Sequence, residues 1–201
     1  MSKVFTGASM SLDGYIAGPQ ESGFDQLFKW YGNGDVPLPT ANPEMTFMLT
    51  EQSHRYFTGY LAMTGSLVVG RKLFDNMNAW GGQHPMGLPV VVLTHSVPDD
   101  WERYGEHFVF VTEGIGAAID KARELARGKN VGLNGGTIAS QAVDAGLLDE
   151  LWVDLVPVLL GDGIPFFSNL SNVPIVLEGP YQVIEGKDVT HLAYRVTGRP
   201  E

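Results

Sequence analysis

The stretch that decides the fold runs from Val131 to Gly163 and reads VGLNGGTIASQAVDAGLLDELWVDLVPVLLGDG. A short apolar strand, a glycine pair, a helix and a second apolar strand follow one another without a break. Gly135 and Gly136 stand where the first strand ends, so backbone N–H groups and the positive end of the helix dipole can receive an anion there. Because glycine lacks a Cβ, a ligand can approach the main chain closely. The pattern favours a nucleotide cofactor.

Strand and helix patterns alternate on both sides of this stretch. Apolar runs predict strands at 4–10, 66–70, 89–94, 107–112, 152–160, 175–185 and 188–196, and helical patterns cover 44–63, 71–77 and 115–126. The last two strands are joined at Gly186-Lys187, which is a hairpin signal. This order predicts an α/β fold, a three-layer αβα arrangement around a mixed, mostly parallel sheet with a C-terminal antiparallel hairpin. Its size predicts one domain over residues 1–201.

Composition narrows the classes of partner. The chain of 201 residues has a formal net charge of −10 and a sequence pI near 4.8. An acidic surface repels nucleic acid and anionic membranes, so neither is an expected partner. Cysteine is absent, which excludes disulfides and thiolate metal sites, and the histidines show no metal-ligand spacing. No apolar run approaches the length of a membrane span, and we expect a cytoplasmic protein.

The segment Glu21–Asn42 is too long for an ordinary connection. It is rich in Gly, Pro and aromatic residues, among them Phe24, Phe28, Trp30 and Tyr31. Long ordered loops are often lids or binding loops, so these rings could stack on a flat substrate. They could equally pack as a lid or as a contact between two copies of the chain.

Three strand ends carry groups that suit a phosphate. Gly70-Arg71, the Thr94–Ser96 turn and Asn134–Gly136 each follow a buried apolar run. Ligands of open α/β sheets bind at the carboxyl ends of strands, so these groups are predicted to converge. Arg71 offers a fork of N–H donors and the turn offers two hydroxyls.

Four motifs carry a resemblance to a known family: SMSLDGYIAG (9–18), VVGRKLFD (68–75), VVVLTHS (90–96) and the long run from Asn134 to Phe167. Together they resemble the dihydrofolate-reductase-like superfamily, specifically the branch that contains the reductase domain of the bifunctional riboflavin-biosynthesis deaminase–reductase. The resemblance implies a dihydrofolate-reductase-like fold and an NADPH-dependent oxidoreductase. It implies nucleotide contacts at Gly70, Arg71, Thr94, Ser96, Gly135, Gly136, Thr137 and Ile138. Ala8 and Ile16 would neighbour the nicotinamide.

The sequence indicates less clearly which residues would contact the substrate. Asp13 follows the first strand and could orient the substrate or relay a proton, although an Asp-Gly pair is also a common turn. Dihydrofolate reductases bind the pterin with a carboxylate on the helix before the second motif, and Glu51 is the acidic residue near that position here. Lys29 is the only basic residue between Glu21 and Thr40, which indicates a flat substrate with little negative charge.

The expected activity is reduction of a small heterocyclic molecule by NADPH, most like that of 5-amino-6-(5-phosphoribosylamino)uracil reductase. A pteridine or dihydrofolate reductase is the first alternative, and a nucleotide-binding protein without turnover is the second. The apolar terminal strands, with Trp152, Phe166 and Phe167 nearby, are compatible with a homodimer, but a self-contained core would give the same pattern.

Overall fold

The computed structural model describes residues 2–198, so residue 1 and residues 199–201 of the predicted domain lie outside it. Twelve strands are found in this part of the chain: β1 (Val4–Ser11), β2 (Tyr15–Ala17), β3 (Val36–Pro39), β4 (Thr46–Leu49), β5 (Thr64–Gly70), β6 (Val90–Leu93), β7 (Phe108–Val111), β8 (Asn130–Leu133), β9 (Glu150–Val156), β10 (Ile164–Pro165), β11 (Leu177–Gly186) and β12 (Val189–Val196). The α-helices are α1 (Phe24–Leu27), α2 (Glu51–Met63), α3 (Arg71–Asn76), α4 (Ile115–Ala126) and α5 (Thr137–Asp144).

Eight strands form one sheet in the order β11-β12-β9-β1-β8-β5-β6-β7. The six strands from β9 to β7 in this order are parallel, whereas β12 and β11 are antiparallel to their neighbours and form the C-terminal hairpin. The predicted mixed sheet is therefore confirmed. Because the six strands are parallel, their carboxyl ends lie along one edge, which we call the carboxyl edge.

Helices cover both faces of this sheet, which gives the predicted three layers. Helices α4 and α5 pack on one face around Val4, Val68 and Val131. Helices α2 and α3 pack on the other face, where Phe5 and Val69 belong to the buried clusters. The alternation of β1 explains the split, because successive side chains of a strand point to opposite faces.

The prediction of one helix over 44–63 was wrong in its first part. Thr46–Leu49 is strand β4, which pairs with β3 in a separate two-stranded sheet. The helix begins at Glu51, and its N-cap is Thr50, whose Oγ1 accepts a hydrogen bond from the backbone N–H of Ser53 at 3.3 Å. A Thr cap satisfies one of the N–H groups that the first helical turn leaves unpaired.

The prediction of a strand over 152–160 was also too long, because the ladder of β9 ends at Val156. Beyond it the backbone turns, and the N–H groups of Leu160 and Gly161 donate to the carboxylate of Asp13 instead of to a neighbouring strand. No helix within residues 2–198 is long and apolar enough to cross a bilayer.

Candidate cofactor and substrate site

The glycine pair stands between β8 and α5 at the carboxyl edge. Gly136 has φ +74°, a left-handed conformation that favours glycine, and its N–H donates to the carbonyl of Phe166 at 2.8 Å. A Cβ on Gly135 would lie 3.1 Å from Cδ1 of Ile16 and 3.6 Å from Cβ of Ala8. The structure therefore brings together four of the residues that the sequence assigned to the cofactor.

The same region continues to the neighbouring strand. A Cβ on Gly70, at the end of β5, would lie 3.5 Å from Cγ1 of Ile138, which is buried in the first turn of α5. Thr137 begins the helix and is exposed. No side chain caps α5. Its first N–H groups therefore remain available to an anion, as at other helix N-termini that bind phosphate.

Arg71, Thr94 and Ser96 meet one strand further along, at the ends of β5 and β6. The carbonyl of Ser96 accepts hydrogen bonds from Nη1 of Arg71 at 3.2 Å and from Oγ1 of Thr94 at 2.9 Å. Nε of Arg71 also donates to both carboxylate oxygens of Asp75, at 2.8 and 2.9 Å. These contacts fix the direction of the guanidinium while its side chain keeps 33% of its area exposed.

These features fit a dinucleotide phosphate. An uncapped helix N-terminus, two glycines without side chains and a fixed guanidinium lie at the ends of β8, β5 and β6, which are adjacent in the sheet. Each is a known receptor for phosphate oxygens. The chain as a whole is acidic and would repel a phosphate, so these local groups have to supply the attraction.

Asp13 has a structural place in the turn between β1 and β2. Its Oδ1 accepts from the hydroxyl of Ser11 at 2.5 Å, and its Oδ2 accepts from the N–H of Gly161 at 2.7 Å. These bonds, that of Ser11 first, lower the pKa of Asp13 below its ordinary 3.8. The carboxylate therefore ties the loop after β9 to the end of β1. A catalytic or substrate-binding role for it stays a prediction.

Glu51 and Lys29 each form an ion pair at the surface. Glu51 is exposed on the first turn of α2 and forms an ion pair of 3.5 Å with Arg55. Lys29 forms an ion pair of 3.1 Å with Asp188. The predicted substrate-binding role of Glu51 depended on a position inside the cleft, and its exposure at the helix end does not favour it.

The aromatic segment divides into two parts. Trp30 is 1% exposed and belongs to the core on the α2 face, where Tyr31 stacks on it with ring centroids 4.0 Å apart. Phe24 and Phe28 remain about half exposed and stack on each other at 5.5 Å. Trp30 and Tyr31 therefore belong to the core and do not form a lid.

A buried polar group on the α2 face was missed by sequence reasoning. Nδ1 of His191 lies 2.7 Å from Oδ1 of Asp154, and its Nε2 lies 2.9 Å from Oγ of Ser53. The indole N–H of Trp30 donates to Oγ of the nearby Ser9 at 3.0 Å. A single Asp inside the apolar strand WVDLV was the signal that could have revealed it, because period-2 alternation places Asp154 on the same face as Trp152.

Comparison with known proteins agrees with this architecture. Residues 2–178 match the model of the RibD C-terminal domain. The chain belongs to the RibD C-terminal domain family. The "Uncharacterized protein YwjB" of Bacillus subtilis (strain 168) is 23% identical over 165 residues, which cover 82% of each protein.

Solved structures show the same fold at low identity. A putative riboflavin biosynthesis protein from Shewanella sp. PV-4 superposes with a TM-score of 0.72 at 20% identity, covering 98% of this chain and 99% of that one. A diaminohydroxyphosphoribosylaminopyrimidine deaminase/5-amino-6-(5-phosphoribosylamino)uracil reductase from Thermotoga maritima gives a TM-score of 0.60 at 15% identity, covering 98% of this chain and 57% of that one. The family and the fold thus agree with the resemblance found in the sequence motifs.

Proposed function

We propose that this protein is an NADPH-dependent reductase of a small heterocyclic substrate, most like 5-amino-6-(5-phosphoribosylamino)uracil reductase. The observation that carries the proposal is the meeting of Arg71, the Thr94–Ser96 turn and the Gly135-Gly136 turn along one sheet edge. Membership of the RibD C-terminal domain family supports it, since one solved protein of this fold is named as such a reductase.

Each cofactor residue has a distinct role in this proposal. The Gly135-Gly136 turn and the N-terminus of α5, with Thr137 and Ile138, receive the pyrophosphate through backbone N–H groups. Arg71 holds the 2′-phosphate that distinguishes NADPH from NADH, with the Thr94 and Ser96 hydroxyls beside it.

Two apolar side chains line the proposed nicotinamide site. Ala8 and Ile16 pack against Gly135 from β1 and β2, so they form an apolar floor at the carboxyl edge. When bound there, NADPH supplies the hydride, and the protein supplies orientation and exclusion of water. The substrate then has to lie next to this floor.

Turnover is tested with NADPH and two candidate substrates, 5-amino-6-(5-phosphoribosylamino)uracil and dihydrofolate. We expect NADPH absorbance to fall with the aminopyrimidine and the ribityl product to appear in equal amount by mass spectrometry. Substrate-free oxidation of NADPH is the control. Consumption with dihydrofolate alone would favour the pteridine alternative. NADPH binding without turnover of either substrate would favour the non-catalytic alternative.

A further inference from the structure

Three polar side chains lie side by side on the α2 face of the sheet. Asp154 of β9 is in register with Ser9 of β1 on one side and with His191 of β12 on the other. Neighbouring strands are about 4.8 Å apart. The row lies two residues from the ends of β1 and β9, close to the carboxyl edge, and on the opposite face of the sheet from the side chain of Ala8.

His191, at one end of this row, is held in one orientation. His191 is fully buried and bonds to Asp154 through Nδ1 and to Ser53 of α2 through Nε2. One face of its ring stacks on Tyr56 with centroids 3.9 Å apart. The side chain of Asp154 keeps 11% of its area exposed, so part of it remains accessible to solvent.

The surroundings of Asp154 are aromatic and carry little positive charge. Burial and then the negative charge of Asp154 raise the pKa of Tyr31, Tyr56 and Tyr60 above the ordinary range. Among ion pairs of the described residues, Asp154 pairs with His191 alone. A buried carboxylate loses its hydration, and hydrogen-bond donors have to compensate that loss. Additional N–H donors would therefore be bound strongly.

We propose that Asp154, positioned by His191 and Ser53, recognises the substrate by accepting hydrogen bonds from the N–H edge of a flat aminopyrimidine-type heterocycle. A carboxylate has acceptor positions for about four hydrogen bonds, and His191 at Oδ1 together with the Tyr56 hydroxyl occupies only part of them. The place of the heterocycle beside the nicotinamide rests on the proposed function. Asp154 thus takes the substrate-binding role that the sequence assigned to Glu51.

Two probe molecules that differ in their ring N–H groups test this proposal. Calorimetry in the presence of NADP⁺ compares 5,6-diaminouracil with 5,6-diamino-1,3-dimethyluracil, which lacks the ring N–H donors. We expect wild-type protein to bind the methylated probe at least about tenfold more weakly than 5,6-diaminouracil. The Asp154→Asn variant should bind 5,6-diaminouracil more weakly than wild type by a similar factor, since hydrogen bonds to charged groups have this strength. Asp120→Asn, on the exposed surface of α4, is the matched control and should bind as wild type.

A second measurement uses the unmodified protein, in case Asp154→Asn folds poorly. The imidazole resonances of His191, identified by their loss in His191→Gln, should shift when 5,6-diaminouracil is added to wild-type protein. Unshifted His191 resonances would overturn the proposal. So would a failure of wild type to bind the probe, or wild-type affinity in a folded Asp154→Asn.

NADPH titration of the same samples separates this proposal from the proposed function. If NADPH binds normally and 5,6-diaminouracil binding does not depend on Asp154, the recognition role fails alone. If 5,6-diaminouracil binds through Asp154 but no NADPH binds, the reductase assignment fails and the recognition site stands.

Discussion

At the scale of single residues, His84 links protonation to stability. Its Nδ1 accepts the backbone N–H of Met86 at 3.2 Å, which requires a ring nitrogen without a proton. Burial lowers the pKa of His84 from 6.5 to about 4. Between these two values the unfolded chain binds a proton that the folded protein does not, so folding stability is present above pH 6.5 and falls as the pH decreases toward 4.

We therefore predict that acidification from about pH 7 to 5 lowers the free energy of unfolding by about 1–2 kcal/mol more in wild type than in His84→Asn. Asn keeps an oxygen acceptor but does not titrate. Urea unfolding at both pH values measures the difference, and His107→Asn, at an exposed histidine, serves as the control. Equal losses in wild type and His84→Asn would show that His84 is not the group responsible.

At the scale of elements, the loop after β9 is fixed by contacts that no sequence pattern reveals. Gly163 has φ +135°, and a Cβ there would lie 2.0 Å from the carbonyl oxygen of Ala17 at the end of β2. Gly161 also has positive φ, at +79°, but a Cβ on it would meet nothing within 4 Å. Both glycines have positive φ, but only Gly163 also approaches another backbone segment closely. Comparing them therefore separates the cost of the conformation from the cost of the contact.

We predict that Gly163→Ala destabilises the protein by about 3 kcal/mol or more, since strain and a backbone clash act together. Gly161→Ala should cost only about 1–2 kcal/mol, the range for an L residue in a left-handed conformation. Urea unfolding of both variants gives the comparison. Similar losses in the two variants would mean that the close packing of Gly163 against β2 does not matter.

Elements with a strong local signal were predicted well from the sequence. Helix α4 was assigned correctly because its apolar side chains repeat with helical spacing from Ile115 to Ala126. Strand β4 was missed because Thr46–Leu49 alternates too briefly to distinguish it from the first turn of a helix, and only pairing with β3 decides it. The group of Asp154, His191 and Ser53 joins three separate elements, and Ser53 is 138 positions from His191, so the sequence shows the isolated Asp154 but not its partners.

At the scale of the whole molecule, the parallel sheet explains how distant motifs form one site. Strands β8, β5 and β6 are adjacent although other elements separate them in the chain, and this order places Asn134, Gly70 and Thr94 next to one another. The sequence predicted that convergence from strand ends alone. The contacts of Arg71 with Asp75 and Ser96 required the structure.

The homodimer remains a prediction, and the residues first linked to it have another role. Trp152 and Phe166 are 7% and 3% exposed, so they belong to the core of one chain. Exposed apolar side chains lie instead on the edge strand β11, where Val183 is 55% exposed and Leu177 is 38% exposed. An unpaired strand edge of this kind can pair with a second copy.

The measurement that tests the central claim most directly is a fluorescence titration of NADPH and NADH with wild type, Arg71→Ala and Arg123→Ala. Arg123 lies in the last turn of α4, so its removal changes net charge equally without touching the carboxyl edge. We predict tight NADPH binding, poor NADH binding, and a loss of about 1–3 kcal/mol in NADPH binding for Arg71→Ala alone. Failure of wild type to bind either nucleotide, or unchanged NADPH binding by Arg71→Ala, would contradict the proposed cofactor site.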